Sequence, residues 1–177
     1  MTEIDRRMFL TSATGALAAM ALVPELKGFG GLMLDQPVRV GVIGVGRQGR
    51  EIMGELGKIA NVNLVAVCDI DERRLKSGLR RASGAQGYAT VKEMLGSGTV
   101  DAVAIATPTH THKDVAIECI GAGVHVYLEC PLAHTREDCV AISSAARSAT
   151  GVIAAGLQGR SNPVYQLARG FFRSDSV

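Results

Sequence analysis

An α/β chain built on a parallel, doubly wound sheet is predicted by three observations: short aliphatic runs without polar alternation, stretches of helical periodicity between them, and glycine clusters at the joins. A strand with one face in water alternates apolar and polar residues, whereas a strand covered by helices on both faces need not. Val38-Arg39-Val40-Gly41-Val42-Ile43 is such a run, and 62–67 is the next. Between them, 48–59 carries Ile52, Met53, Leu56 and Ile59 at helical spacing, so strand, helix and strand fill the length of a βαβ unit.

The alternation continues along the chain. Residues 71–81 read as a polar helix, 87–89 as a brief strand, 91–95 as a helix and 100–106 as a strongly aliphatic strand. A helix over 113–122, a strand over 125–128, a helix over 135–148 and a strand over 152–157 complete the series. Thr135 is the expected N-cap of the 135–148 helix, with Glu137 in its first turn. Pro163-Val164-Tyr165-Gln166-Leu167-Ala168-Arg169 starts a further helix, and the chain ends at Val177. The expectation is a truncated product or fragment: 37–160 form the folded domain, 161–177 begin the connection to a second domain, and that C-terminal substrate domain is absent.

Composition narrows the function classes. The 177 residues, 47% hydrophobic and 20% charged, suit one domain. A net charge of +2, with basic residues scattered among acidic ones, gives no electrostatic footprint for nucleic acid. No Trp, three Tyr and four Phe leave no platform for stacking bases. Cys68, Cys119, Cys130 and Cys139 lack CxxC spacing and interleaved histidines, so neither a disulfide framework nor a metal site is expected. Each thiol reads as a small buried hydrophobe, except Cys130, which lies within a motif.

The first thirty residues read as an address. Arg6 and Arg7 precede Phe9, Leu10 and an apolar, small-residue run over 11–23, which is signal-peptide architecture. The arginine pair resembles the twin-arginine consensus, whose export machinery carries proteins already folded. The run is too short and too small-residued to span a membrane, and Pro24, Glu25 and Lys27 close it. Ala19-Met20-Ala21 offers a cleavage pattern and Gly28-Phe29-Gly30-Gly31 a flexible linker. Residues 1–30 are therefore expected to direct the chain to the periplasm or the membrane surface; an ordinary amphipathic first helix is the alternative.

The chemistry-bearing residues lie where strands end. Gly44-Val45-Gly46-Arg47-Gln48-Gly49 is GxGxxG, a weak pattern alone but a specific one after a buried strand and at the start of a helix. Gly44 makes the tight turn, Gly46 lets the backbone approach a pyrophosphate, and Gly49 permits close helix packing. The anion then sits at the positive end of a helix, with Arg47 and Gln48 as further donors. Asp69, at the end of the second strand, is placed to accept both hydrogen bonds of an adenosine ribose diol, which favours NAD over NADP. Arg73 and Arg74 offer a 2′-phosphate a rival site, and a helix-capping role is the other reading of Asp69.

The Rossmann fingerprint, then Ala106-Thr107-Pro108-Thr109-His110-Thr111-His112, then His125-Val126-Tyr127-Leu128-Glu129-Cys130-Pro131 together resemble the Gfo/Idh/MocA oxidoreductase family, over 38–163. The resemblance implies that Thr107, Pro108 and His112 line the dinucleotide near its nicotinamide end. A proline-ordered turn with Thr109 or Thr111 capping a helix is the local alternative. It also implies that Glu129 contacts the nicotinamide ribose and that Pro131 shapes the turn. In the family a lysine precedes that proline as acid/base or orienting cation; here the position is Cys130, which cannot supply a cationic donor. Either the thiol acts as a weaker acid/base or this branch uses another group, with His112 a possible catalytic residue. Gln158 and Arg160 match the segment where the sheet hands over to the second domain, and border cofactor or substrate or form a solvated crossover loop.

The resemblance thus implies an NAD-binding domain of an enzyme that acts on a sugar or cyclitol by hydride transfer, a homo-oligomer in full-length form. Some exported members are NAD-dependent glycosidases, and a non-catalytic dinucleotide-binding remnant is the third expectation.

Overall fold

The computed structural model describes residues 36–157 and 163–173; the expected leader over 1–30, Gln158 and Arg160 lie outside them. Six strands, β1 Val38–Ile43, β2 Val62–Cys68, β3 Gln86–Tyr88, β4 Ala102–Ile105, β5 His125–Leu128 and β6 Ile153–Ala155, form one sheet in the order β3-β2-β1-β4-β5-β6. Every pairing is parallel. The helices are α1 Arg47–Leu56, α2 Glu72–Leu79, α3 Val91–Gly96, α4 His112–Gly121, α5 Arg136–Arg147 and α6 Pro163–Arg173, with a 3-10 turn at Thr109–Thr111. The strand order reverses beside β1, so a crevice opens outside the carboxyl ends of β1 and β4, where ligands of such sheets bind.

Neighbouring residues on a strand point to opposite faces, which is why the central strands carry no polar alternation. Val42 packs with Val45, Met53, Val67 and Ala104 under α1 and α2. Ile43 packs with Cys68, Met94, Ile105, Leu128 and Ile142 under α3, α4 and α5. Both side chains are at most 2% exposed. Each such burial contributes about 1.5–3 kcal/mol, so the apolar strands secure both layers at once. β5 departs from this rule. Val126 and Leu128 are buried, but His125 and Tyr127 are exposed on the other face, where they line an open cavity together with residues of α1.

Helix starts follow local chemistry. Asp71 caps α2 by accepting from the Arg73 and Arg74 amides at 2.9 and 3.0 Å, and Thr90 and Glu93 form a capping box on α3. Thr135 caps α5 through the Asp138 amide at 3.1 Å, as its sequence position indicates. Several expected boundaries shift, the 152–157 strand to Ile153–Ala155 and the 71–81 helix to Glu72–Leu79 among them. The first helix stops at Leu56 before Gly57 instead of reaching 59, and Ile59, which continues the apolar period, is 52% exposed. The fourth strand is regular only over Ala102–Ile105, although the Asp101 amide still donates to the Arg39 carbonyl at 2.8 Å while its carboxylate binds the Arg39 amide and guanidinium at 2.6–3.1 Å.

Candidate dinucleotide-binding site

The turn between β1 and α1 is shaped by contacts that only glycine permits. Gly44 has φ +84°, and a Cβ there would lie 2.8 Å from the Thr107 amide nitrogen and 2.9 Å from the Ala106 carbonyl. The turn after β4 therefore presses on the glycine loop at the sheet's reversal point. At Gly49 a Cβ would lie 1.9 Å from the Gly44 carbonyl oxygen, so α1 sits directly on the loop it follows. Gly46 is different: an added Cβ meets nothing within 4 Å. It is the N-cap of α1, no side chain caps it, and the first turn holds no acidic residue. Such a helix start leaves backbone N–H groups and the positive dipole end open to an anion. Arg47, with its side chain 90% exposed and 3.8 Å from Glu51, flanks this opening.

Asp69 braces the loop from the other side. It is 7% exposed; its Oδ2 accepts from the Val45 amide and its Oδ1 from the Asp71 amide, each at 2.9 Å. Each carboxylate oxygen retains one further acceptor position. The cap of α2 is Asp71, not Asp69, so the capping alternative passes to the neighbouring acid. The Asp71 carboxyl is held below the usual carboxylate range, first by the Arg74 amide and then by the Arg73 amide.

At the far end of the crevice, Thr111 stands at the N-cap of α4, but the capping alternative lacks its side-chain bond there: the hydroxyl turns back to Thr107 Oγ1 at 2.9 Å and to the Pro108 carbonyl at 2.8 Å. His112 is corrected more sharply. It is 2% exposed, with Nε2 2.8 Å from the Thr107 carbonyl and Nδ1 3.0 Å from that of Pro131. Both ring nitrogens are engaged by backbone, so His112 cannot reach a substrate proton and does not line the crevice. It ties the loop after β4 to the loop after β5. The Glu129 carboxylate accepts from Gln48 Nε2 at 3.3 Å, from the Tyr127 hydroxyl at 3.1 Å and from the Cys130 amide at 3.1 Å. Gln48 is thereby drawn to Glu129, and Cys130 is exposed beside it. Burial, then the negative charge of Glu129, pushes the Tyr127 phenol above its ordinary pKa.

The structure thus brings together the glycine loop, Asp69, Thr107, Pro108, Gln48 and Glu129 around the ends of β1, β2, β4 and β5. Sequence reasoning missed Tyr127 and Gly156 as partners of Glu129. Tyr127 had a signal, since residues two apart on a strand share a face.

Comparison with known proteins gives this constellation a family. Residues 38–157 match the family model Gfo/Idh/MocA, described as an oxidoreductase family with an NAD-binding Rossmann fold. The chain is 36% identical over 131 residues to inositol 2-dehydrogenase 1 of Saccharopolyspora erythraea, covering 72% of this chain and 39% of that protein. It is 32% identical to glycosyl hydrolase family 109 protein 2 of a Shewanella species, covering 78% of this chain and 36% of that protein. Among solved structures, the WlbA dehydrogenase of Chromobacterium violaceum, in complex with NADH and UDP-GlcNAcA, superposes with a TM-score of 0.73 at 34% identity. That match covers 78% of this chain and 40% of the neighbour's, so the chain spans about two fifths of the length of the proteins it resembles. With its sheet order, its glycine turn and a matched segment running from the first strand through the last, the chain belongs to the Gfo/Idh/MocA oxidoreductase family and carries that family's NAD-binding Rossmann domain.

Proposed function

We propose that this domain holds NAD across the carboxyl ends of β1 and β4 for hydride transfer to or from a sugar or cyclitol ring. The observation that carries the reading is Gly46, the one glycine of the fingerprint whose missing side chain answers to no protein atom. Gly44 and Gly49 are glycine because backbone crowds them; Gly46 is best explained by a ligand whose phosphates approach the α1 amides. Asp69 offers its remaining acceptor positions to the adenosine ribose, and its charge disfavours a 2′-phosphate, so NADP is the weaker ligand. Thr107 and Pro108, fixed from behind by His112, flank the nicotinamide end, where Glu129 accepts from the ribose.

When bound, NAD supplies the hydride chemistry. The chain's own residues bind and orient it. An inositol dehydrogenase and a dehydrogenase crystallised with a nucleotide sugar are among the relatives, which supports a polyhydroxylated ring as substrate. The residues that would hold that ring belong to a further domain, and the full-length form is read as a homo-oligomer.

A second reading is favoured by Cys130. It is exposed next to Glu129, where the family lysine would stand, and a thiol does not provide a cationic donor to a sugar hydroxyl. A glycosidase of the same cofactor dependence suits that position, and several relatives are named glycosyl hydrolases. The arginine pair at Arg6 and Arg7 supports export by the twin-arginine route with the domain already folded. Replacing both by lysine is expected to hold the precursor in the cytoplasm on fractionation; undiminished export would remove that part of the reading.

The cofactor reading is tested by calorimetric titration of the chain with NAD and NADP. NAD is expected to bind more tightly, and Gly46→Ala to weaken it by about tenfold or more with the unfolding temperature kept within about 4 °C. Binding of neither nucleotide, or full affinity in Gly46→Ala, overturns it.

A further inference from the structure

Glu129 is held from three directions, and only one of them crosses the fold. The Cys130 amide, which any residue but proline would supply there, donates to Oε2. The other two bonds come from outside the turn. Gln48 reaches over from the first turn of α1, and Tyr127 stands two residues earlier on β5, on the same face of the strand; both donate to Oε1. A carboxylate has about four acceptor positions. Two on Oε1 and one on Oε2 are taken, which leaves a single position, on Oε2.

The tyrosine ring occupies space that Gly156 leaves open. A Cβ at Gly156 would lie 2.5 Å from the Tyr127 hydroxyl oxygen, 2.8 Å from Cζ and 3.2 Å from the Glu129 carboxyl carbon. Glycine is not demanded there by a left-handed backbone; the crowding side chains are the reason. The backbone cannot slide away either, because the Gly156 amide donates to the Leu128 carbonyl at 2.7 Å.

We infer that Tyr127, seated over Gly156, is a positioning residue that turns the Glu129 carboxylate so that Oε2 accepts one hydroxyl of the nicotinamide-side ribose. This rests on the reading of Glu129 given above. Without the phenol, Oε1 keeps only the longer bond from Gln48, and the carboxylate rotates among orientations of which one fits the ribose. Because the effect acts through Glu129, it falls on the nicotinamide half of the ligand and spares the adenosine half at Asp69.

The test compares NAD with ADP, which lacks the nicotinamide riboside, by calorimetry on the whole chain carrying Tyr127→Phe, Glu129→Ala or both. Tyr127→Phe is expected to weaken NAD about tenfold, the size of one hydrogen bond to a charged acceptor, and to leave ADP within about twofold. In the Glu129→Ala background it should add nothing. Gly156→Ala, which pushes the ring aside, should repeat the Tyr127→Phe pattern; if that variant does not fold, Tyr127→Phe decides alone. NAD affinity retained in Tyr127→Phe, an equal loss for NAD and ADP, or losses that add in the double variant each overturn the inference while the NAD site stands. A parent chain that binds no NAD overturns the site and the positioning role together.

Discussion

Alanine at Gly49 is the sharpest structural perturbation of the site, because it meets the backbone carbonyl of Gly44 head on. Its Cβ would lie 1.9 Å from the Gly44 carbonyl oxygen, whereas carbon–oxygen contacts in folded chains settle near ~3.3 Å, so loop and helix must part by roughly 1.4 Å. Neither partner can rotate aside. Gly44 is tied by its amide to the Cys68 carbonyl at 2.8 Å, and the turn at Thr107 presses on it from behind. Overpacking that neighbours can absorb costs about 1–3 kcal/mol, and here the neighbours are backbone, so a loss of about 3 kcal/mol or more is expected. That is a large part of the ~5–15 kcal/mol that holds a domain folded. Urea unfolding followed by far-UV circular dichroism should show the midpoint falling by about 1–3 M, from the usual slopes for small proteins. Gly46→Ala is the internal control: it meets open space, and exchanging glycine for alanine at an N-cap costs under about 1 kcal/mol. A Gly49→Ala midpoint indistinguishable from that of Gly46→Ala would refute the packing argument.

His112→Phe keeps the ring volume but removes the ring N–H that can donate to the Thr107 or Pro131 carbonyl, so a loss of about 1–3 kcal/mol on urea unfolding is expected, together with weaker NAD binding; an unchanged midpoint refutes the tie between the two loops. Burial pushes the Cys68 and Cys119 thiols up to about 12, so iodoacetamide at neutral pH should modify Cys130 while sparing both until urea unfolds the chain, as read by peptide mass spectrometry. The Arg39 guanidinium holds the Asp101 carboxyl below the usual carboxylate range. A depressed folded value contributes stability that is present above the unfolded value of about 3.9 and is lost as pH falls through the folded one. Arg39→Gln should flatten that acid loss; since the two side chains are 48% and 41% exposed, the change is small and shrinks further in salt.

Much of the fold was legible because its signals are local. The aliphatic runs at 38–43 and 62–67 read as strands of a covered sheet, and the GxGxxG that follows the first of them reads as a turn opening a helix. Where boundaries slipped, two local signals competed. Ile59 continues the apolar period of α1 although Gly57 has already ended the helix, and at Asp101 the regular strand gives way to an ion pair with Arg39 on β1 while the backbone stays bonded to its neighbours.

The sequence by itself determined the order of strands and helices, the glycine turn and the acids at the strand ends, since period, propensity and turn chemistry act within a few residues. What only the tertiary structure decided is what those residues touch. Gln48 meets Glu129 across 81 residues, Asp69 spans 24 to brace Val45, and His112 spans 19 to the Pro131 carbonyl and so becomes a tie instead of a proton carrier. Gly156 shows no local reason for being glycine at all; its reason is the Tyr127 ring on the neighbouring strand. Side-chain partners at such separations are set by strand order and register, which bring the carboxyl ends of β1, β4 and β5 together only once the sheet has formed.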